Sequence, residues 1–175
     1  MSETRSIRER QAPIKERFAA DPASAKITIA VQSVTEGGDP TRVKLAAESN
    51  PGWTWDASAH PLAGGEGEFP CSGDIFLASL AACQEITLRM VAAAMGIELK
   101  KVDLRVEGDM DFQGTMGTDP ETPVGFQAIR VLIDIEADAP ADRLERLAQR
   151  AEKYCVIAST LRTPPSRELV VNAGS

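Results

Sequence analysis

The stretch from Asp74 to Met95, DIFLASLAACQEITLRMVAAAM, leaves this chain few options. Only Asp74, Gln84, Glu85, Thr87 and Arg89 in it are plainly polar, with Ser79 small. It is rich in Ala, Leu and Met and has no internal Gly or Pro, which favours helix. Gly96 ends it, as a residue that tolerates a left-handed conformation past the last turn. A surface helix is apolar along one stripe. This one is apolar nearly all round as far as Cys83, which predicts burial in a core or between subunits.

The flanking sequence predicts strands. Lys26–Thr35 alternates apolar and polar residues, and Gly37-Gly38-Asp39-Pro40 signals a turn into a returning strand, Arg42–Ala47. Trp53–Ala57 reads as a third strand, and His60–Pro70, with its glycines and prolines, as a loop. After the helix, Glu98–Phe112 and Phe126–Ala137 both alternate and form a long hairpin across a loop at Gly114–Pro123. Pro140 opens a second helix through Lys153, with Leu144, Leu147, Ala148 and Ala151 on its apolar face. Cys155–Leu161 is a further short helix or a continuation, Pro164-Pro165 breaks it, and Glu168–Val171 closes as a strand. Ahead of all this, residues 1–25 form a charged arm in which Pro13–Phe18 suits a short helix with proline in its first turn. Residues 26–175 make one domain.

Strands, buried helix, long hairpin, helix and strand, in that order, define an α+β class, with too few β-α alternations for a doubly wound sheet. One sheet cannot cover a helix apolar all round, which predicts a second copy of the chain as the missing cover. A net charge of −7 argues against nucleic acid or an anionic membrane as partner. Gln84, Glu85 and Arg89 interrupt the one run that approaches bilayer length. The charged N-terminal sequence has no apolar core of the secretory kind, so the expected compartment is the cytoplasm, where thiols stay reduced. Cys71, Cys83 and Cys155 are too few for a disulfide scaffold.

Several groupings have weak chemical readings. Asp109-Met110-Asp111-Phe112-Gln113-Gly114 has acids at alternating positions like a calcium loop. Its flanks read as strands, however, and Pro120 stands where the closing glutamate belongs. His60, the single histidine, lacks the partners for a zinc site and lies in a Gly-rich loop, so a surface histidine is the default. Glu85 and Arg89, four apart on the helix, suit a structural ion pair that offsets the cost of burying both. At about 1.5 Å rise per helical residue, the rod between Cys71 and Cys83 keeps their sulfurs too far apart for a disulfide, so Cys71 is incidental. Cys83 and Cys155, on different elements, are free of that limit. Taken alone, two buried cysteines are more often inert packing than a redox pair.

Asp74 through Leu80-Ala81-Ala82-Cys83 to Thr87-Leu88-Arg89-Met90, with Gly96-Ile97 and Leu99 beyond, resembles the OsmC/Ohr family. So does Ala151-Glu152-Lys153-Tyr154-Cys155 followed by Ser159-Thr160-Leu161, and the separation of the two cysteines is close to the family's. The resemblance implies an OsmC-like fold, with antiparallel β-sheets wrapped around two central helices in an intertwined homodimer and active sites at the subunit interface. It also implies thiol peroxidase chemistry on organic hydroperoxides or hydrogen peroxide, as in oxidative stress defence, without metal or flavin. Cys83 maps onto the attacking cysteine and Cys155 onto the one that closes a disulfide with it, which a dithiol reductant reopens. In the family's organic hydroperoxide reductases, a glutamate upstream holds an arginine against the thiolate. Here Gly73 occupies the glutamate's place, beside Asp74, and Arg42 is the nearest candidate for the arginine. Val156 replaces the proline that usually follows the second cysteine. The sequence thus resembles a broader OsmC-like branch. The rival expectations are a non-catalytic dimer binding a small apolar ligand between the central helix and the His60–Pro70 loop, and a scaffold in which both cysteines are core filler.

Overall fold

A computed structural model describes residues 6–34, 38–50 and 52–172. Helix α1, Ile7–Ala20, starts at Ser6. The Ser6 backbone N–H donates to the Glu9 carboxylate at 2.7 Å, and the Glu9 N–H donates to the Ser6 hydroxyl at 3.3 Å, a reciprocal cap. The helix therefore begins earlier than expected and carries Pro13 inside it instead of in the first turn. It buries no residue of its own. It lies along the distal half of the long helix, where Arg8 donates to the Ala94 carbonyl and Gln11 reaches the Met90 sulfur at 3.8 Å.

Strands β1 (Val31–Val34), β2 (Arg42–Ala47) and β3 (Thr54–Ser58) form an antiparallel sheet in that order. The expected first strand is thus paired only over its second half. Thr35, and Gly37 of the expected turn, lie outside the described residues. The register places Val31 opposite Ala47, Val43 opposite Ala57, and Leu45 between Ser33 and Trp55. Side chains alternate along a strand, so these residues share one face, while Lys44 and Asp56 pair at 3.3 Å on the other. Val31 and Val43 stay exposed on that apolar face, and Leu45, Ala47 and Trp55 are only partly buried.

Helix α2, Ser72–Met95, ends at Gly96, whose φ of +66° is the left-handed stop the sequence predicts. Arg143 adds a donor to the Met95 carbonyl at 2.5 Å. Strands β4 (Leu99–Met110) and β5 (Phe126–Ala137) then make a long hairpin in which Val102, Leu104 and Val106 face Ile135, Ile133 and Val131. Its outer face is polar, with Arg130 bonded to both oxygens of Asp109 and to Glu107. The expected Gly114–Pro123 loop begins inside a short helix α3, Phe112–Met116, which Asp111 caps by accepting from the Gln113 N–H at 2.9 Å. Both acids of the calcium-like stretch are therefore engaged, Asp109 with a guanidinium and Asp111 with backbone.

Helix α4, Ala141–Tyr154, turns its apolar face onto α2 and the hairpin. Leu88, Ala92, Ile97, Leu147 and Ala151 form one buried cluster, and Leu80, Cys155 and Ala158 a second. Leu88 is fully buried, and Leu88→Ala is expected to cost about 2–5 kcal/mol, measured as a lowered urea midpoint. Helix α5, Val156–Arg162, is separate from α4, because Cys155 between them is extended at φ −70°, ψ 118°.

One expectation needs correction. Glu168–Val171 is not a strand: it runs unpaired among the described residues, with Leu169 87% and Val171 76% exposed. Within a single chain α2 is buried along one side. Leu80, Gln84, Thr87, Leu88 and Ala92 are buried, whereas Ala78, Ala82, Ile86 and Ala93 face outward, with Ile86 57% exposed. Gln84, read as a polar interruption, is inside. By length and composition α2 is apolar enough to cross a bilayer, but its inner face packs on α4 and the hairpin.

Candidate functional site

Cys83 and Cys155 come together under the start of α5. Cys83 projects from the middle of α2, partly exposed, while Cys155 is fully buried at the α4–α5 junction. The sequence forces that junction. Cys155 leaves the helical conformation, and its sulfur accepts from the Ala158 N–H at 3.4 Å, capping the new helix. The first amides of α5 therefore have no helical acceptors of their own and are free to point at a neighbour.

That neighbour is the Cys83 sulfur. Burial pushes the Cys83 thiol up, but four donors outweigh it: the Ile157 N–H, the Cys155 S–H, the Val156 N–H and the Thr87 hydroxyl. Together they hold Cys83 below the ordinary cysteine range. Cys155 moves the other way. Burial raises it most, the Ala158 N–H opposes, and the adjacent Cys83 sulfur raises it again as acceptor and as charge.

The sign of the linkage follows. A Cys83 pKa below its unfolded value adds stability at pH above the unfolded pKa, and the contribution is lost as pH falls through the lowered one. Val156 gives a direct check. Proline at the first position of a helix costs little but has no N–H to donate. Val156→Pro is therefore expected to raise the Cys83 pKa and shift its iodoacetamide rate profile to higher pH with the fold intact; an unmoved profile would remove Val156 from the site.

The cation expected beside Cys83 is elsewhere. Arg42 pairs with Asp39 at 3.0 Å, Glu66 at 3.0 Å and Glu68 at 2.8 Å, within the sheet and loop of its own chain. Backbone N–H groups at the start of α5 lower the Cys83 pKa instead, and sequence patterning does not single them out. The signal was present: a residue with an N–H, Val156, directly after a cysteine at a helix start. Glu85 and Arg89 pair at 3.5 Å as expected, on the surface of the single chain. His60 is not drawn to the cysteines; its Nδ1 accepts from the Leu62 N–H at 3.1 Å. Cys71 remains a free thiol at the start of α2, where the Asp74 carboxylate accepts from its N–H at 2.9 Å. A cavity of about 420 Å³, lined by Leu80, Phe126, Ile129 and Ala158 and closed on one side by the Glu152–Arg162 ion pair at 3.0 Å, adjoins the Cys155 cluster.

An antiparallel α+β frame thus brings two free thiols from distant parts of the chain into one packed cluster. Residues 65–170 match the OsmC-like protein family model, and the chain belongs to that family. Among solved structures, an OsmC-like protein from Mycoplasma pneumoniae superposes with a TM-score of 0.65 at 17% identity, covering 79% of this chain and 90% of that one. An OsmC-like protein of unknown function from Vibrio cholerae gives 0.63 at 12% identity, covering 77% and 94%. An organic hydroperoxide resistance protein from Legionella pneumophila gives 0.57 at 20% identity, covering 78% and 90%. At these identities the likeness establishes the shared fold. No curated protein matches the sequence.

Proposed function

We propose that this chain is a thiol-dependent peroxidase that reduces organic hydroperoxides or hydrogen peroxide, with Cys83 as nucleophile and Cys155 as resolving thiol. The observation that carries the reading is that partly exposed Cys83 packs against buried Cys155 at the start of α5. Thiolate is the reactive form, and the amides and thiol beside Cys83 lower its pKa.

The Cys83 thiolate attacks the distal oxygen of the peroxide. The O–O bond breaks, the leaving alkoxide or hydroxide takes a proton to become alcohol or water, and Cys83 is left as a sulfenic acid. Cys155 then attacks that sulfur. A disulfide forms, water leaves, and the two electrons lost by the thiols are those gained by the peroxide. A dithiol reductant returns both cysteines to thiols by exchange. No step draws on a metal or flavin, and a reducing compartment such as the cytoplasm suits the cycle.

The same reading takes the protein as a homodimer. The outward stripe of α2 and the uncovered face of the β1–β3 sheet support this, since soluble chains rarely leave so much contiguous apolar surface open. Thiol counting tests the chemistry: one equivalent of cumene hydroperoxide added to reduced protein should remove Cys83 and Cys155 together and spare Cys71. If both stay reduced, the peroxidase reading fails.

A further inference from the structure

We infer a second binding site, at the N-terminal end of α2, that takes a neutral, flat aromatic molecule. A cavity of about 480 Å³ opens there between the start of α2, the turn at Pro61–Ala63, α3 and the β4–β5 hairpin. That volume is in the range of small-molecule sites. His60, Cys71, Phe76, Met110, Phe112 and Phe126 line it.

The lining selects the class of ligand. His60 stacks on Phe112 with ring centres 4.8 Å apart, and Phe76 on Phe126 at 5.6 Å, so two aromatic pairs border one space. A flat ring between them extends both stacks, and the Met110 thioether supplies a soft contact at a ring edge. No Asp, Glu, Lys or Arg is among the lining residues. An ionic ligand would lose hydration there without meeting an opposite side-chain charge.

The walls are set before any ligand arrives. A Cβ on Gly108 would lie 2.5 Å from the Phe126 ring, and one on Gly73 3.3 Å from its far edge, so two glycines clear the space that ring occupies. A Cβ on Gly65 would lie 1.8 Å from the Ala59 carbonyl oxygen, and one on Gly114 2.5 Å from that of Thr122. The turn and α3 are therefore held close by positions only glycine can fill. Phe76 stands two helical turns before Cys83, about 10 Å along α2, and this cavity shares only Phe126 with the one beside the Cys155 cluster. The inference does not depend on the peroxidase reading.

Fluorescence titration of the reduced, full-length protein in its native assembly with 1-aminoanthracene tests it, with N-ethylmaleimide labelling of each cysteine read by peptide mass mapping. One saturable site per chain is expected. Cys71 labelling should slow with the same concentration dependence as binding, while Cys83 labelling stays unchanged. Thr115→Trp, on the exposed rim, should weaken binding by about tenfold or more by filling the space. Ala63→Phe, from the Pro61–Ala63 turn, should do the same and carries the test if the first variant does not fold. Absence of saturable binding, protection of Cys83 in place of Cys71, or equally tight binding of anthracene-2-carboxylate would each overturn the assignment.

Discussion

Cys83→Ser is expected to abolish peroxide consumption, a loss on the order of 10³-fold or more, because the reaction then has no thiolate to attack the O–O bond. The substitution is nearly isosteric on a partly exposed position, so the thermal midpoint should barely move and the loss can be assigned to chemistry. Cys155→Ser separates the two roles. A serine hydroxyl can still donate to the Cys83 sulfur, so the first turnover should proceed at close to the normal rate. Resolution then stops: Cys83 should appear by mass as a sulfenic acid and, with excess peroxide, gain a second oxygen as the irreversible sulfinic acid. A Cys155→Ser protein that turns over repeatedly with a dithiol reductant would mean that Cys155 does not resolve the intermediate.

The second large effect is on assembly. On the homodimer proposed above, Ile86→Glu should give monomer, measured by light scattering at micromolar concentration. Ile86 is 57% exposed in the single chain and follows Ala78 and Ala82 at four-residue steps, one outward stripe of α2. The small alanines let another surface approach closely, and Ile86 supplies the apolar bulk. An unpaired carboxylate buried there costs about 3–5 kcal/mol, which weakens association by roughly 10²–10³-fold or more. A symmetric interface incurs that cost in both copies. If the variant keeps the assembly state and midpoint of the parent, the outer face of α2 is not the contact surface.

Periodicity made much of this fold legible. Arg42–Ala47 and Phe126–Ala137 form strands over the residues their alternation marks, and Gly96 stops α2 where expected, because those signals are local. The misreadings arise where a second element decides. Glu168–Val171 has strand-forming side chains but no neighbour to pair with. Pro13 lies inside α1 because Ser6 and Glu9 set the helix start, a signature in the residues that the proline obscured. Composition marks α2 as apolar nearly all round but does not tell which face meets this chain and which is left outward. At the site, sequence singled out two cysteines that the fold packs together. It offered Arg42 as the nearest candidate cation, whereas three carboxylates engage that guanidinium and backbone amides lower the Cys83 pKa. Backbone donors carry no residue code, so only the geometry at the helix start could disclose them.

The Cys155 sulfur also has a structural duty, since it is the acceptor for the Ala158 amide that begins α5. A bond from that sulfur to Cys83 would draw electron density and position away from the amide. The first turn of α5 would then start without its acceptor, and its amide hydrogens should exchange with solvent faster in oxidised protein than in reduced. Redox state would thus be recorded in the local order of one short helix, readable by deuterium uptake at residues 156–159 while β4 and β5 stay unchanged.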